Sequence, residues 1–128
     1  MTKGAFVNVT DKIGSFTVHS VSTNVAEYPV GTTIYMSNDS YSNVVPGTIQ
    51  DLYYINVQGG IYFLHQTKVS HIAVSGDSGS PIIIPLGAVD GVVCCKLLGI
   101  ESGGTSTYDV FSKYYYINSQ LGVSAITN

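Results

Sequence analysis

The sequence predicts an all-β domain, an antiparallel barrel or sandwich, and three observations carry that expectation. Short segments rich in β-branched and aromatic residues recur along the chain. Turn-forming clusters of Gly, Pro, Asn, Asp and Ser separate them at close intervals. Only one stretch, near the C-terminus, has helical spacing. At 128 residues the chain is long enough for one domain with a real core.

Strands are expected from Ile13 to Val21, Thr32 to Met36, Gly47 to Val57, Gly60 to His65, and Lys68 to Val74. Turns at Asn38-Asp39-Ser40, Pro46-Gly47 and Gln58-Gly59-Gly60 divide them. After a Gly/Ser-rich loop at Ser75–Pro81 come a strand at Ile82–Ile84 and a turn over Leu86–Gly91. A strand from Val92 to Ile100 and a short one near Tyr108–Phe111 follow. Ser112 is placed to cap a helix that carries Tyr115, Ile117 and Leu121, and Gly122 is placed to stop it. A last short strand is expected over Val123–Ile126. No linker or repeat interrupts the chain, and residues 1–12 are expected to be the most loosely held.

Composition excludes several functions. Charged residues are only 10%, net charge is −3, and there is no arginine, so nothing favours nucleic acid or an anionic membrane surface. No run approaches the ~20 apolar residues of a membrane helix, and the N-terminus shows no signal-peptide pattern. Adjacent Cys94 and Cys95 are poorly placed to bond to each other. On a strand one of them should face the core and the other the outside. The histidines and cysteines have no zinc spacing, and neither Gly59-Gly60 nor Gly103-Gly104 leads into a phosphate-binding loop. No metal and no cofactor is expected.

The chemistry concentrates in Ser75-Gly76-Asp77-Ser78-Gly79-Ser80-Pro81. A serine hydroxyl becomes a useful nucleophile only beside a base. It also needs backbone N–H groups aimed at the oxyanion that forms on an attacked carbonyl. Gly76 lets the backbone turn so that its N–H and that of Ser78 can share one pocket, and Gly79 keeps the far side free of a Cβ.

This loop resembles the nucleophile loop of trypsin-like serine proteases, and the order of other segments extends the resemblance. Val30-Gly31-Thr32-Thr33-Ile34 is similar to the strand that opens the second barrel in the bacterial streptogrisin and α-lytic branch. Pro46-Gly47-Thr48-Ile49 is similar to a later strand start. Leu98-Gly99-Ile100-Glu101-Ser102-Gly103-Gly104 resembles the segment that edges the specificity pocket. The helix with Leu121-Gly122-Val123-Ser124 resembles the family's terminal helix and strand.

The resemblance covers residues 28–128 and implies a C-terminal, six-stranded antiparallel Greek-key β-barrel with a short C-terminal α-helix. Residues 1–27 are then an N-terminal segment or interbarrel remnant with a first strand.

Residue by residue, the resemblance implies Ser78 as nucleophile and the Gly76 and Ser78 N–H groups as oxyanion hole. Asp77 is implied as the carboxylate that supports the loop. Ser102, Gly103 and Gly104 would bind the substrate backbone as an added strand. Ile72 would floor the primary specificity pocket, arguing against Lys or Arg there, and Tyr108 would lie near that pocket. The family pairs its loop carboxylate with a cation; five lysines and the chain terminus are the candidates here.

The base histidine and its aspartate belong to the family's N-terminal barrel, and no segment upstream of residue 28 resembles it. His19, His65 and His71 are the only imidazoles, and none is expected to serve as the base. Three explanations stay open. The chain is half of a two-barrel endopeptidase, inactive until an N-terminal barrel supplies His and Asp. Alternatively it is a complete single barrel that pairs with a second copy, or a binding or structural module that retains the loop. A peptide or protein substrate is implied if it is active. A secreted precursor fits the resemblance, and the composition settles no compartment.

Overall fold

The computed structural model describes residues 12–13, 16–23, 28–37, 45–70, 79–89, 91–122, 124 and 127. The elements in order are β1 (Lys12–Ile13), β2 (Phe16–Val21), β3 (Thr33–Met36), β4 (Val45–Gln58) and β5 (Ile61–Ser70). They continue with β6 (Pro81–Val89), β7 (Val92–Gly104), β8 (Tyr108–Lys113) and α1 (Tyr114–Leu121).

Six strands close on themselves. β3 pairs with β4, β4 with β5, β5 with β8, β8 with β7, β7 with β6, and β6 returns to β3, every pairing antiparallel. The return of β6 beside β3 after a three-strand meander is the Greek-key order. The domain is therefore an all-β, antiparallel six-stranded Greek-key barrel with a short C-terminal helix.

Two further strands lie outside the ring. β2 runs parallel to the first half of β7, from Thr17↔Cys94 to Val21↔Leu97, and β1 pairs antiparallel with β2. One edge of β7 thus serves β2 first and β8 from Gly99 onward, while β6 holds the opposite edge.

Burial explains why the middle strands read as continuous apolar runs. Ile34, Met36, Ile49, Val69, Ile82, Leu98 and Phe111 fill the barrel. Val18, Ile83, Cys95, Leu97 and Tyr114 form a second cluster where β2 and α1 cover the outer face of β6 and β7. Neighbours such as Ile82 and Ile83 point to opposite faces, and both faces are covered. Each such side chain contributes about 1.5–3 kcal/mol by leaving water. The same double cover corrects the cysteine expectation, because Cys94 and Cys95 are both buried and both are free thiols. Burial, with the neighbouring Cys94 adding to it, pushes the Cys95 thiol up to about 11, so it stays protonated and unreactive at neutral pH.

Several boundaries differ from the sequence reading. The segments expected at Gly60–His65 and Lys68–Val74 join in one strand as far as Ser70. His65 takes φ +57° within it, and the register against β4 shifts at Tyr54/Asn56. Such irregularities bend a long strand without ending it. β6 passes through the expected turn at Leu86 and runs to Val89, with its own irregularity between Pro85 and Gly87.

The N-cap of α1 is Lys113, whose side chain makes no capping bond, and Ser112 lies one residue too early. Gly122 ends the helix as expected, at φ +66° with its N–H on the Asn118 carbonyl at 3.0 Å. Of the expected final strand, Val123, Ala125 and Ile126 lie outside the described residues.

Beyond the barrel rim the β4–β5 hairpin is apolar and uncovered. Ile55, Val57, Ile61, Tyr62 and Leu64 are each more than half exposed. No helix among the described residues is long and apolar enough to cross a membrane.

Candidate active site

The loop that carries the chemistry in sequence begins and ends on barrel strands. β5 leads into it at Ser70 and β6 takes over at Pro81. Ile72, Gly76, Asp77 and Ser78 lie outside the described residues, as does His71. The residues immediately after Ser78 are described, and they are tied to β7. The Gly79 N–H donates to the Glu101 carbonyl and the Glu101 N–H donates to the Ser80 carbonyl, both at 2.8 Å. Gly79 has φ +94°, a conformation that glycine adopts without strain.

That ladder marks where β7 changes function. β6 follows β7 only to Pro81↔Ile100, whereas β8 follows it to Gly104↔Asp109. Ser102, Gly103 and Gly104 therefore have one edge bonded to β8, and no strand among the described residues occupies the other. An exposed strand edge of this kind can accept an extended peptide through main-chain hydrogen bonds. The glycines let β8 pack closely against this stretch from the bonded side. A Cβ on Gly104 would collide with the Asp109 carboxylate and the Tyr108 carbonyl, and Gly103 has φ +154°.

A buried amide braces this edge from behind. Gln66 Oε1 on β5 accepts hydrogen bonds from the Ser102 hydroxyl at 2.7 Å and from the Ser112 hydroxyl at 3.3 Å. Ser102 also lies 3.2 Å from the Val110 carbonyl. One side chain thus joins β5, β7 and β8, and its partners satisfy a polar group that burial would otherwise penalise. Sequence reasoning missed Gln66 and Ser112 as site residues. The available signal was the polar trio His65-Gln66-Thr67 inside an apolar strand.

Tyr108 opens β8 four residues after Gly104. The turn between them is closed by the Thr105 N–H on the Tyr108 carbonyl at 2.7 Å. Its hydroxyl lies 3.1 Å from that of Tyr54, with the two rings packed edge to face at 5.6 Å. The Lys68 ammonium sits over both rings, 5.1 Å from the Tyr54 centroid and 4.6 Å from that of Tyr108. The hydrogen bond with Tyr54 raises the Tyr108 pKa, partial burial and the Tyr54 charge add to this, and the Lys68 charge opposes it. The Tyr108 phenol therefore keeps its proton at physiological pH. Lys68 and Tyr54 were not anticipated from the sequence.

The described histidines are elsewhere. His19 is exposed on β2, and His65 is exposed with its ring stacked on Tyr116 of α1 at 5.1 Å. Among the described residues no group of three or more His, Cys, Asp or Glu could hold a metal ion.

No protein-family model and no curated protein matches this chain. Solved structures do. The chymotrypsin of Cellulomonas bogoriensis superposes with a TM-score of 0.73 at 20% identity, over 98% of this chain and 66% of that one. A glutamic acid specific serine protease, described as using a histidine triad in substrate binding, superposes with a TM-score of 0.65 at 20% identity, over 98% and 64%. The fold is that of a chymotrypsin-like serine protease barrel, and the chain spans about two thirds of the length of each of these proteases.

Proposed function

We propose that this chain is the nucleophile-bearing half of a chymotrypsin-like serine endopeptidase, with the spacing of its motifs favouring the streptogrisin and α-lytic branch. The observation that carries the reading is the two-bond ladder between Gly79-Ser80 and Glu101. It sets the residue after Ser78 beside an open strand edge of the kind a peptide substrate needs. In this reading Ser78 attacks the scissile carbonyl of a peptide added along Ser102–Gly104. The Gly76 and Ser78 N–H groups hold the oxyanion, and Asp77 supports the loop. Ile72 floors the specificity pocket and Tyr108 lies at its side.

The base is supplied from outside this barrel, by an N-terminal barrel or by a second copy of the chain. Neither described histidine serves, since His65 is committed to Tyr116 and His19 is exposed on the outer strand β2. The uncovered apolar hairpin from Ile55 to Leu64 favours a macromolecular partner, because surface of that kind is normally covered. The histidine triad named for the glutamate-specific neighbour has no counterpart among the described residues.

Labelling with a fluorophosphonate, read by intact mass, tests this. A serine in a formed oxyanion hole that lacks its base should label slowly at Ser78 and not at all in Ser78→Ala. Added imidazole should accelerate the reaction at least about tenfold by standing in for the missing general base. Absence of a Ser78 adduct both with and without imidazole overturns the reading.

A further inference from the structure

We propose that Lys68, with Tyr54 and Tyr108, is the recognition site for a carboxylate side chain of the bound peptide, so that the substrates are acidic at one subsite. The inference rests on reading Ser102–Gly104 as the peptide-binding edge and goes beyond it by naming the side chain that the site selects.

The placement follows from strand register. Lys68 lies opposite Val110, and Val110 lies opposite Gly103, so the three form one row across β5, β8 and β7. Tyr108 is two residues from Val110 on the same face, and Tyr54 is opposite Gln66, two residues from Lys68. The Lys68 ammonium leans over the Tyr108 ring on β8, one strand spacing, about 4.8 Å, from β7 and a second such spacing from a peptide on the far edge of β7, a gap that two long side chains leaning toward each other bridge. An extended peptide on the open edge projects alternate side chains to this outer face. Nothing on Gly103 or Gly104 stands between such a side chain and the Lys68 row.

The charge is available. Lys68 makes cation–π contacts with the two tyrosines, and no carboxylate among the described residues pairs with it. Asp51, its cross-strand neighbour, instead accepts the Tyr53 N–H at 2.9 Å. The ring faces orient the ammonium while leaving N–H donors for a ligand. Of the two adjoining phenols one donates to the other, which leaves one O–H as a further donor of the kind a carboxylate accepts. In a chain of net charge −3, a half-buried lysine held by two rings and with no carboxylate paired to it among the described residues is set up to receive one.

The test uses the 15N-labelled chain and acetylated tetrapeptide amides that differ only in Glu, Gln or Phe at the last residue, followed by amide shifts. All three should perturb the Gly103 and Gly104 amides. The Glu peptide should bind about tenfold more tightly than the Gln peptide, the scale of one charge-assisted hydrogen bond. In Lys68→Met that ratio should fall to about one with Gln-peptide affinity unchanged, and Lys68→Arg should retain it.

Tyr54→Phe keeps the ring and should reduce the ratio about twofold. Equal Glu and Gln affinities in the parent chain, or a ratio that survives Lys68→Met, overturns the assignment while leaving the peptide edge standing. Failure of every peptide to shift Gly103 and Gly104 removes the edge itself and the proposal with it.

Discussion

The β4–β5 and β7–β8 hairpins are neighbours in the barrel wall and opposite in character. The far half of β4–β5 is built from strand-forming apolar residues, and Ile61, Tyr62 and Leu64 stand more than half exposed. The β7–β8 hairpin carries Glu101, Ser102, Asp109 and Ser112, yet Glu101 and Asp109 are buried, and the two serines meet on Gln66. Exposed apolar side chains thus mark surface that can be covered, while the β7–β8 hairpin packs closely with Leu98, Val110 and Phe111 buried beside its polar groups. The first suits a broad partner, and the second holds a defined edge.

Glycine substitutions should separate the two most sharply. A Cβ at Gly99 on β7 would meet the Ser112 carbonyl and the Phe111 ring, both fixed by β8. Gly99→Ala should therefore cost about 3 kcal/mol or more, at the upper end of overpacking effects. Gly59→Ala, in the β4–β5 turn at φ +57° with open space around it, should cost only about 1 kcal/mol of backbone strain. Urea denaturation of the pair measures this, and equal costs would erase the distinction between the hairpins.

Gln66→Leu comes next. Two hydroxyls lose their shared acceptor, so about 1–3 kcal/mol of stability should go. The amide shifts of Ser102 and Gly103 should move more than those of the distant β4–β5 turn. Uniform shifts would mean that Gln66 packs without bracing the edge.

The smallest effect is expected from pH, at the junction of β8 and α1. Burial lowers the Lys113 pKa to about 8, with Asp51 opposing, while its ammonium donates to the Leu52 carbonyl and lies 4.5 Å from the Tyr53 ring. Because the folded value lies below the unfolded one, the unfolded chain holds the extra proton between about pH 8 and 10. The Lys113 contribution to stability should therefore rise with pH across that window. The stability difference between the parent chain and Lys113→Met, measured at pH 7.5 and 9.5, isolates the lysine from the tyrosines. A difference that stays flat or falls would mean that Lys113 keeps its ordinary pKa.

Much of the fold was legible because strand signals are local. The Ile82–Ile84 run, Val92 to Ile100 and the Gly122 stop all sit where β-branched residues and a left-handed glycine place them. The joining of two expected strands through His65 was not legible, since a kink inside a strand depends on pairing with β4. The outward placement expected for one of the two cysteines failed for a related reason, because the outer face of β7 is covered only once β2 and α1 dock there. At the candidate site, motif order is what points to Ser102–Gly104 and Tyr108 as candidates. Gln66, Ser112, Tyr54 and Lys68 could not be found that way, because their roles arise from cross-strand neighbours, Ser102 lying 36 residues from Gln66 and Tyr108 lying 54 from Tyr54.

The ring of strands is stitched unevenly. Among the described residues, β6 is matched to β7 at eight positions, but to β3 at only two, Tyr35↔Ile83 and Met36↔Ile82, with one further bond from the Ser37 N–H to the Pro81 carbonyl. Local opening draws on the weakest contiguous unit, and here that unit is a seam whose end abuts Gly79 and Ser80. Breathing at this seam would slacken the stretch just after Ser78 while the β4–β5–β8 wall stays intact. The barrel therefore has a built-in clasp next to the candidate site, and anything that fastens it would steady Gly79 and Ser80 without remaking the fold.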